Sequence, residues 1–296
     1  MTGTDTTVAV IGIGRMGSAM AVTLNRAGFD TILWNRDRSK AEATAAAIGA
    51  PVAATAAEAA SRADIVVTSL ADDAAVVDTY LAAHGIVAGI APGTVVLETS
   101  TIDPETVQRV GTAVDAAGGT YLDCPVSGSV STVEAGALTI MVGGEAEVLE
   151  RARPVLDALA SNVIHVGDRG AGAATKLAVN GLVHGLNVAL SEAVVLAERA
   201  GVDRAKAYEA FATGAGGAPF VQYKREAYEH PEEAAVAFSL DLVAKDLELI
   251  TSLGERVGAP MRQAAIGLDI IHDAIDAGFG DRDLSAIAVF LREEAT

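Results

Sequence analysis

From residue 7 to about 166, short apolar runs rich in Val and Ile alternate with longer Ala-rich stretches of helical period. Strands are predicted over 8–12, 30–34, 64–69, 94–99, 120–124, 138–142 and 163–166, each bounded by Gly, Asp, Asn or Pro. Between them, helices are predicted from near Met16, Ser39, Asp72, Asp103 and Glu145, and Asp103-Pro104 reads as an N-cap followed by proline at the first helical position. This alternation is the pattern of repeated βαβ units, hence a doubly wound α/β domain with a parallel sheet. After Gly172 the pattern changes. Residues 176–199 contain only Gly181 and Gly185 as breakers, and no convincing strand follows before Thr296. A helix over about 172–200 would be about 40 Å long, and further helices are predicted over 203–213, 239–257, 260–276 and 284–293, the last capped by Asp283. The expected organisation is therefore an α/β domain over 1–168 and an all-helical C-terminal domain over 169–296 that begins with the long helix.

The 296 residues suffice for two domains and a substantial core. Lys and Arg number 21 against 39 Asp and Glu, a formal charge of −18 that opposes broad affinity for nucleic acid or anionic membranes. The opening MTGTDTT has neither the basic flank nor the apolar stretch of a signal peptide, and apolar runs elsewhere are broken by Gly, Asp, Glu or Arg before 18 residues, so a cytoplasmic location is expected. The single Cys124 can form no internal disulfide and reads as a small core residue, and no Cys or His spacing marks a metal site.

Gly12-Ile13-Gly14-Arg15-Met16-Gly17 follows a predicted strand and opens a predicted helix, the context that gives such a glycine pattern meaning. Gly12 permits a tight turn, Gly14 lets the backbone approach a pyrophosphate, and Gly17 lets helix and strand pack closely. An NAD site usually carries Asp or Glu at the end of the second strand to hold the ribose hydroxyls, whereas this chain has Asn35-Arg36. With no carboxylate there to repel a 2′-phosphate and a guanidinium able to bind it, NADP is expected over NAD.

Two further segments carry chemistry: Asp123-Cys124-Pro125-Val126-Ser127-Gly128-Ser129 and Gly170-Ala171-Gly172-Ala173-Ala174-Thr175-Lys176-Leu177-Ala178-Val179-Asn180. With the glycine motif they resemble the β-hydroxyacid dehydrogenase family, over nearly the whole chain. The resemblance implies a Rossmann-type dinucleotide domain, a long connecting helix and a helical domain, with hydride exchange between the nicotinamide and a small 3-hydroxy acid or its semialdehyde or 2-oxo acid counterpart. Read from the residues, Ser127, Gly128 and Ser129 follow a strand end and offer hydroxyls and N–H groups to a carboxylate. Lys176 and Asn180 share one helix face in an otherwise apolar segment, where a lysine needs a reason. Lys176 is the candidate proton-transfer group, with Asn180 holding the lysine or the substrate oxygen. The resemblance further implies that Leu70 and Thr101 border the cofactor, with Thr101 near the nicotinamide, and that Phe238, Lys245 and Asp246 close the site, Lys245 toward the cofactor and Phe238 and Asp246 toward the substrate. Ala71, Ser129 after Gly128, and Val179 before Asn180 depart from common family patterns. The Val179-Asn180 arrangement, with Asn35-Arg36, more closely resembles the NADP-dependent semialdehyde reductase side of the family. Two other readings stay open: an imine reductase of related fold, disfavoured by Lys176, and a non-catalytic NADP-binding module, disfavoured by Lys176, Asn180 and Ser127 together. His184 reads as a packing or interface residue. Gly181 and Gly185 point to close helix contact within the protomer or across a subunit interface, and a homodimer or homotetramer is expected.

Overall fold

The computed structural model describes residues 6–294. Most of the opening segment read for targeting signals, residues 1–5, lies outside the described residues. The chain forms two compact units, 1–176 and 177–296, whose division falls inside the helix Ala171–Arg199.

The first unit is built on eight strands: β1 (Thr7–Ile11), β2 (Asp30–Trp34), β3 (Ile65–Thr68), β4 (Val95–Glu98), β5 (Thr120–Asp123), β6 (Val126–Ser127), β7 (Leu138–Gly143) and β8 (Ala160–Gly167). Their order is β2-β1-β3-β4-β5-β7-β6, with β8 paired to β7. From β2 to β5 all pairs are parallel. The β1 residues Val8 and Val10 pack into one apolar cluster while Ala9 and Ile11 pack into another, so both faces are covered and the strand reads as a continuous apolar run. Asp103 caps the helix Pro104–Ala116 with proline in its first turn, as the sequence implies. Cys124 is buried in the core.

The far edge corrects the expectation of a wholly parallel sheet. β7 runs antiparallel to both β5 and β6. The chain between β5 and β7 holds only β6 and the five-residue helix Val130–Glu134, too little helix for the crossover that a parallel return requires. Short helices such as Ala56–Ser61, Ile86–Gly89 and Pro219–Tyr223 also escape a periodicity reading, because one or two turns do not establish a period.

The second unit is helical, and includes Arg204–Thr213, Leu240–Val257, Arg262–Ala274 and Ile287–Glu294. Its core gathers Leu177, Leu190, Val194, Tyr208, Tyr228 and Leu247. The helix Ala171–Arg199 is, by length and composition, apolar enough to cross a membrane, contrary to the expectation from charged breakers. It nevertheless buries Asn180, Asn187 and Ser191 with hydrogen-bond partners inside the unit: Asn187 Nδ2 donates to the Leu284 carbonyl at 3.0 Å, and the Ser191 hydroxyl lies 3.0 Å from that of Tyr228. At Gly185 a Cβ would stand 2.7 Å from the Gln263 side chain, so the close contact expected there is made within the protomer. A buried ion pair, Lys224 with Asp283 at 2.8 Å, ties the segment before Leu240–Val257 in place, since the same carboxylate accepts the N–H groups of Ala237 and Phe238 at 2.9 and 3.3 Å. Asp283 also caps the terminal helical segment through Ser285, as predicted.

Candidate active site

The glycine turn is shaped by what a side chain would strike. Gly12 has φ +93°, and a Cβ there would lie 2.3 Å from the Ser69 carbonyl oxygen. A Cβ on Gly17 would lie 1.9 Å from the Gly12 carbonyl oxygen, whereas one on Gly14 would meet nothing within 4 Å. Gly12 and Gly17 are thus demanded by packing, and Gly14 faces open space. Gly14 is the N-cap of Arg15–Arg26 and supplies no side-chain cap, and the N-terminus of a helix favours a negatively charged group. These residues fit a dinucleotide pyrophosphate. Arg15 and Met16 form the first helical positions, Arg15 exposed and Met16 half-buried.

Asn35 acts as a brace: its Oδ1 accepts the Ile13 N–H at 2.8 Å and its Nδ2 donates to the Asp37 carbonyl at 2.9 Å. It therefore fixes the glycine turn against the end of β2. Arg36, next in the chain, is exposed. Leu70 and Thr101 follow β3 and β4. They are linked through Ser100, whose hydroxyl accepts the Leu70 N–H at 2.8 Å.

The last residue of β5 is a group that sequence reasoning passes over. The Asp123 carboxylate accepts the Gly170 N–H at 2.9 Å and the Ala173 N–H at 2.8 Å, and so holds the start of the helix that carries Lys176. Burial raises the Asp123 pKa, and these N–H bonds oppose the shift without cancelling it. The fit is made by glycines: a Cβ on Gly143 would stand 2.6 Å from Asp123 Oδ1, and one on Gly172 2.6 Å from the Asp123 carbonyl oxygen. The glycines at 143 and 172 are the available signal, since each is needed only if something packs against its Cα. Ser127 is half-buried, and Gly128 is exposed with φ +143°. Ser129 is engaged in starting the helix Val130–Glu134, its hydroxyl 2.8 and 3.1 Å from those of Ser131 and Thr132. That leaves Ser127 and the Gly128 backbone as the better candidates for a carboxylate.

In the helical unit, Asn180 and Asp246 meet directly, Asn180 Nδ2 donating to Asp246 Oδ2 at 2.6 Å. Lys245 Nζ lies 3.1 Å from Asp246 Oδ1, and His184 Nε2 lies 3.4 Å from Oδ2. Burial alone would raise the Asp246 pKa, but His184 and Lys245 outweigh it and hold the carboxyl below its usual range. Phe238 stands beside His184 at 5.9 Å between ring centroids. Three of the predicted residues, Asn180, Asp246 and Lys245, thus form one cluster, with Phe238 beside it. His184, which the sequence presents as packing, belongs to it as well. Because Asp246 is fully buried and can only accept, it fixes which end of the Asn180 amide is the donor and leaves Asn180 Oδ1 as the acceptor elsewhere.

The mixed sheet, its glycine turn and the anchored lysine helix fit a dinucleotide-dependent oxidoreductase. A family described as the NAD binding domain of 6-phosphogluconate dehydrogenase matches residues 7–167, and one described as NAD-binding of NADP-dependent 3-hydroxyisobutyrate dehydrogenase matches residues 170–291. The chain is 33% identical over 290 residues to an NAD-dependent L-serine dehydrogenase of Pseudomonas aeruginosa, covering 95% of this chain and 96% of that one. It is 30% identical over 280 residues to glyoxylate/succinic semialdehyde reductase 1 of Arabidopsis thaliana, covering 95% and 96%. A crystal structure of 3-hydroxyisobutyrate dehydrogenase from Salmonella typhimurium superposes with a TM-score of 0.89 at 29% identity, covering 97% of this chain and 100% of that one. The chain belongs to the β-hydroxyacid dehydrogenase family and is an NAD(P)-dependent oxidoreductase acting on CH–OH and carbonyl groups.

Proposed function

We propose that this enzyme prefers NADP(H) and interconverts a small 3-hydroxy acid with its semialdehyde, or a hydroxy acid with its 2-oxo acid, with Lys176 as the proton-transfer group. The observation that carries the reading is the anchoring of the Lys176 helix to Asp123, on the segment that also bears Ser127 and Gly128. The nicotinamide, when bound, supplies or accepts the hydride. Ser127 Oγ and the Gly128 N–H hold the substrate carboxylate. In the reductive direction Lys176 Nζ gives a proton to the carbonyl oxygen and is left as the amine; in the oxidative direction the amine takes that proton back. Asn180, one helical turn on, offers its Oδ1 to the lysine or to the substrate hydroxyl.

NADP preference is supported by the exposed Arg36 at the end of β2 and by the absence of a carboxylate at 35 or 36. The NADP-dependent description of the matched second family agrees, while the P. aeruginosa relative is NAD-dependent. The reading also includes a cytoplasmic enzyme that self-associates as a dimer or tetramer, supported by Leu182 and Leu196, 75% and 72% exposed on the long helix.

The test is a panel of NADPH- and NADH-oxidation assays with glyoxylate, succinic semialdehyde, tartronate semialdehyde and methylmalonate semialdehyde, beside cyclic imines. Turnover of one of the acids with NADPH as the better cofactor is expected. Turnover of the imines alone, or a preference for NADH, would overturn the corresponding part of the reading.

A further inference from the structure

Between the ends of β3 and β4 lies a buried carboxylic acid that the chemistry above does not use. Glu98, the last residue of β4, is 1% exposed. Its Oε1 accepts the N–H of Ser100 at 2.8 Å. Ser100 in turn accepts the Leu70 N–H on its hydroxyl at 2.8 Å, bridging the two strand ends. Leu70 and its neighbour Ser69 then abut the glycine turn: a Cβ on Gly12 would stand 2.9 Å from Leu70 Cδ2 and 2.3 Å from the Ser69 carbonyl oxygen. A continuous line of close contacts runs from Glu98 through Ser100 and Leu70 to Gly12. Its other branch is the loop that continues from Ser100 into Thr101.

We infer that Glu98 is a positioning residue for the dinucleotide, setting the Ser100–Thr101 loop and Leu70 against the Gly12 turn while touching no cofactor itself. It does so from a buried carboxyl. Burial raises its pKa, and although the N–H and hydroxyl of Ser100 and the hydroxyls of Thr68 and Tyr80 oppose the shift, no cation offsets it. The hydroxyls of Thr68 and Tyr80 adjoin the carboxyl, yet neither makes a bond of good geometry to Oε2, which is left buried with no hydrogen-bond partner among the described residues. What Ser100 needs is one acceptor oxygen, which an uncharged side chain of the same shape also offers. The close isostere of such a group is an amide rather than an alanine or a charged side chain. The inference rests on the NAD(P) assignment of this turn, but neither on the choice between the two cofactors nor on Lys176.

Calorimetric titration of the enzyme with NADPH and with NADH, in the absence of substrate, tests it, with thermal melting recorded for each variant. Glu98→Ala should raise Kd about tenfold, equivalent to about 1.4 kcal/mol, and by the same factor for both cofactors, because the loop and Leu70 are remote from the ribose that distinguishes them. Glu98→Gln should restore Kd to within about twofold, since Oε1 still accepts from Ser100. Ser100→Ala, which leaves Glu98 in place and removes the bridge to Leu70, should weaken binding of both cofactors by about three- to tenfold, and it decides the matter if Glu98→Ala does not fold. Three results would overturn the inference: wild-type Kd values in Ser100→Ala, a Glu98→Ala variant that melts earlier yet binds both cofactors normally, or a Glu98→Gln variant as weak as Glu98→Ala. An Arg36-type pattern, with loss confined to NADPH, would also overturn it and place the effect at the ribose.

Discussion

Among the described residues each unit buries two acids, and they are treated in opposite ways. In the α/β unit, Glu98 and Asp123 meet backbone N–H groups and hydroxyls, and burial drives both pKa values up. In the helical unit, burial acts in the same direction on Asp246 and Asp283. There, His184 and Lys245 at Asp246, and Lys224 at Asp283, outweigh it and hold both carboxyls down. The α/β unit bonds its buried acids to backbone N–H groups near strand ends, whereas the helical unit sets its own beside cationic side chains.

The largest effect expected from breaking this contrast is at the backbone side. Gly17→Val puts a Cβ 1.9 Å from the Gly12 carbonyl oxygen, and should weaken NADPH binding by at least about 100-fold, measured by titration. Retained affinity would show that the turn is not the cradle. Next is the side-chain cluster. Asp246→Asn removes the charge and turns one of the two acceptor oxygens shared by Asn180, His184 and Lys245 into a donor, and should lower kcat/KM for the carbonyl substrate about 30-fold while leaving the NADPH Kd unchanged, a split that simple unfolding would not produce. Arg36→Ala should raise the KM for NADPH about tenfold and leave that for NADH nearly constant, and equal losses with both cofactors would remove the basis for NADP preference.

The smallest effect is on stability against pH. Groups with depressed folded-state values contribute stability above the ordinary carboxylate range and lose it as pH falls through those values, which is the case of Asp246 and Asp283. Groups with raised values contribute fully below that range and lose their contribution as pH rises through the folded value, which is the case of Glu98 and Asp123. Acid should therefore loosen the helical unit first. The single tryptophan, Trp34, sits on β2 and reports the α/β unit, so in an acid titration far-UV helical signal should fall before Trp34 fluorescence changes. Coincident transitions would mean that these four acids do not govern the acid response.

The same contrast explains what is legible in the sequence. The glycine turn is written in nearby residues between a predicted strand and a predicted helix, so the packing demands on Gly12 and Gly17 follow from local spacing and context. The strand pattern is equally readable, because parallel strands buried on both faces are apolar throughout. The Asn180–His184–Asp246–Lys245 cluster draws on two helices more than 60 residues apart, and the two elements meet only through tertiary packing. Asn180 shares a helix face with Lys176 and is readable for that reason, whereas Asp246 is reached only through resemblance to a family. His184 has no motif of its own and looks like packing. Asp123 lies within a recognisable motif, yet the sequence assigns it no task, because its N–H partners lie 47 and 50 residues downstream. The antiparallel edge leaves no signal because β6 has two residues and carries no period.

The central claim, that Lys176 moves the proton, is tested most directly by comparing NADPH-dependent reduction by the wild type and by Lys176→Ala with the best substrate of the panel, alongside NADPH titration of both. The account predicts unchanged NADPH affinity, since the glycine turn is untouched, and a loss in kcat of roughly 10²–10⁴. Near-wild-type turnover in Lys176→Ala, with folding and NADPH affinity intact, would contradict it and assign the proton to water or to another residue.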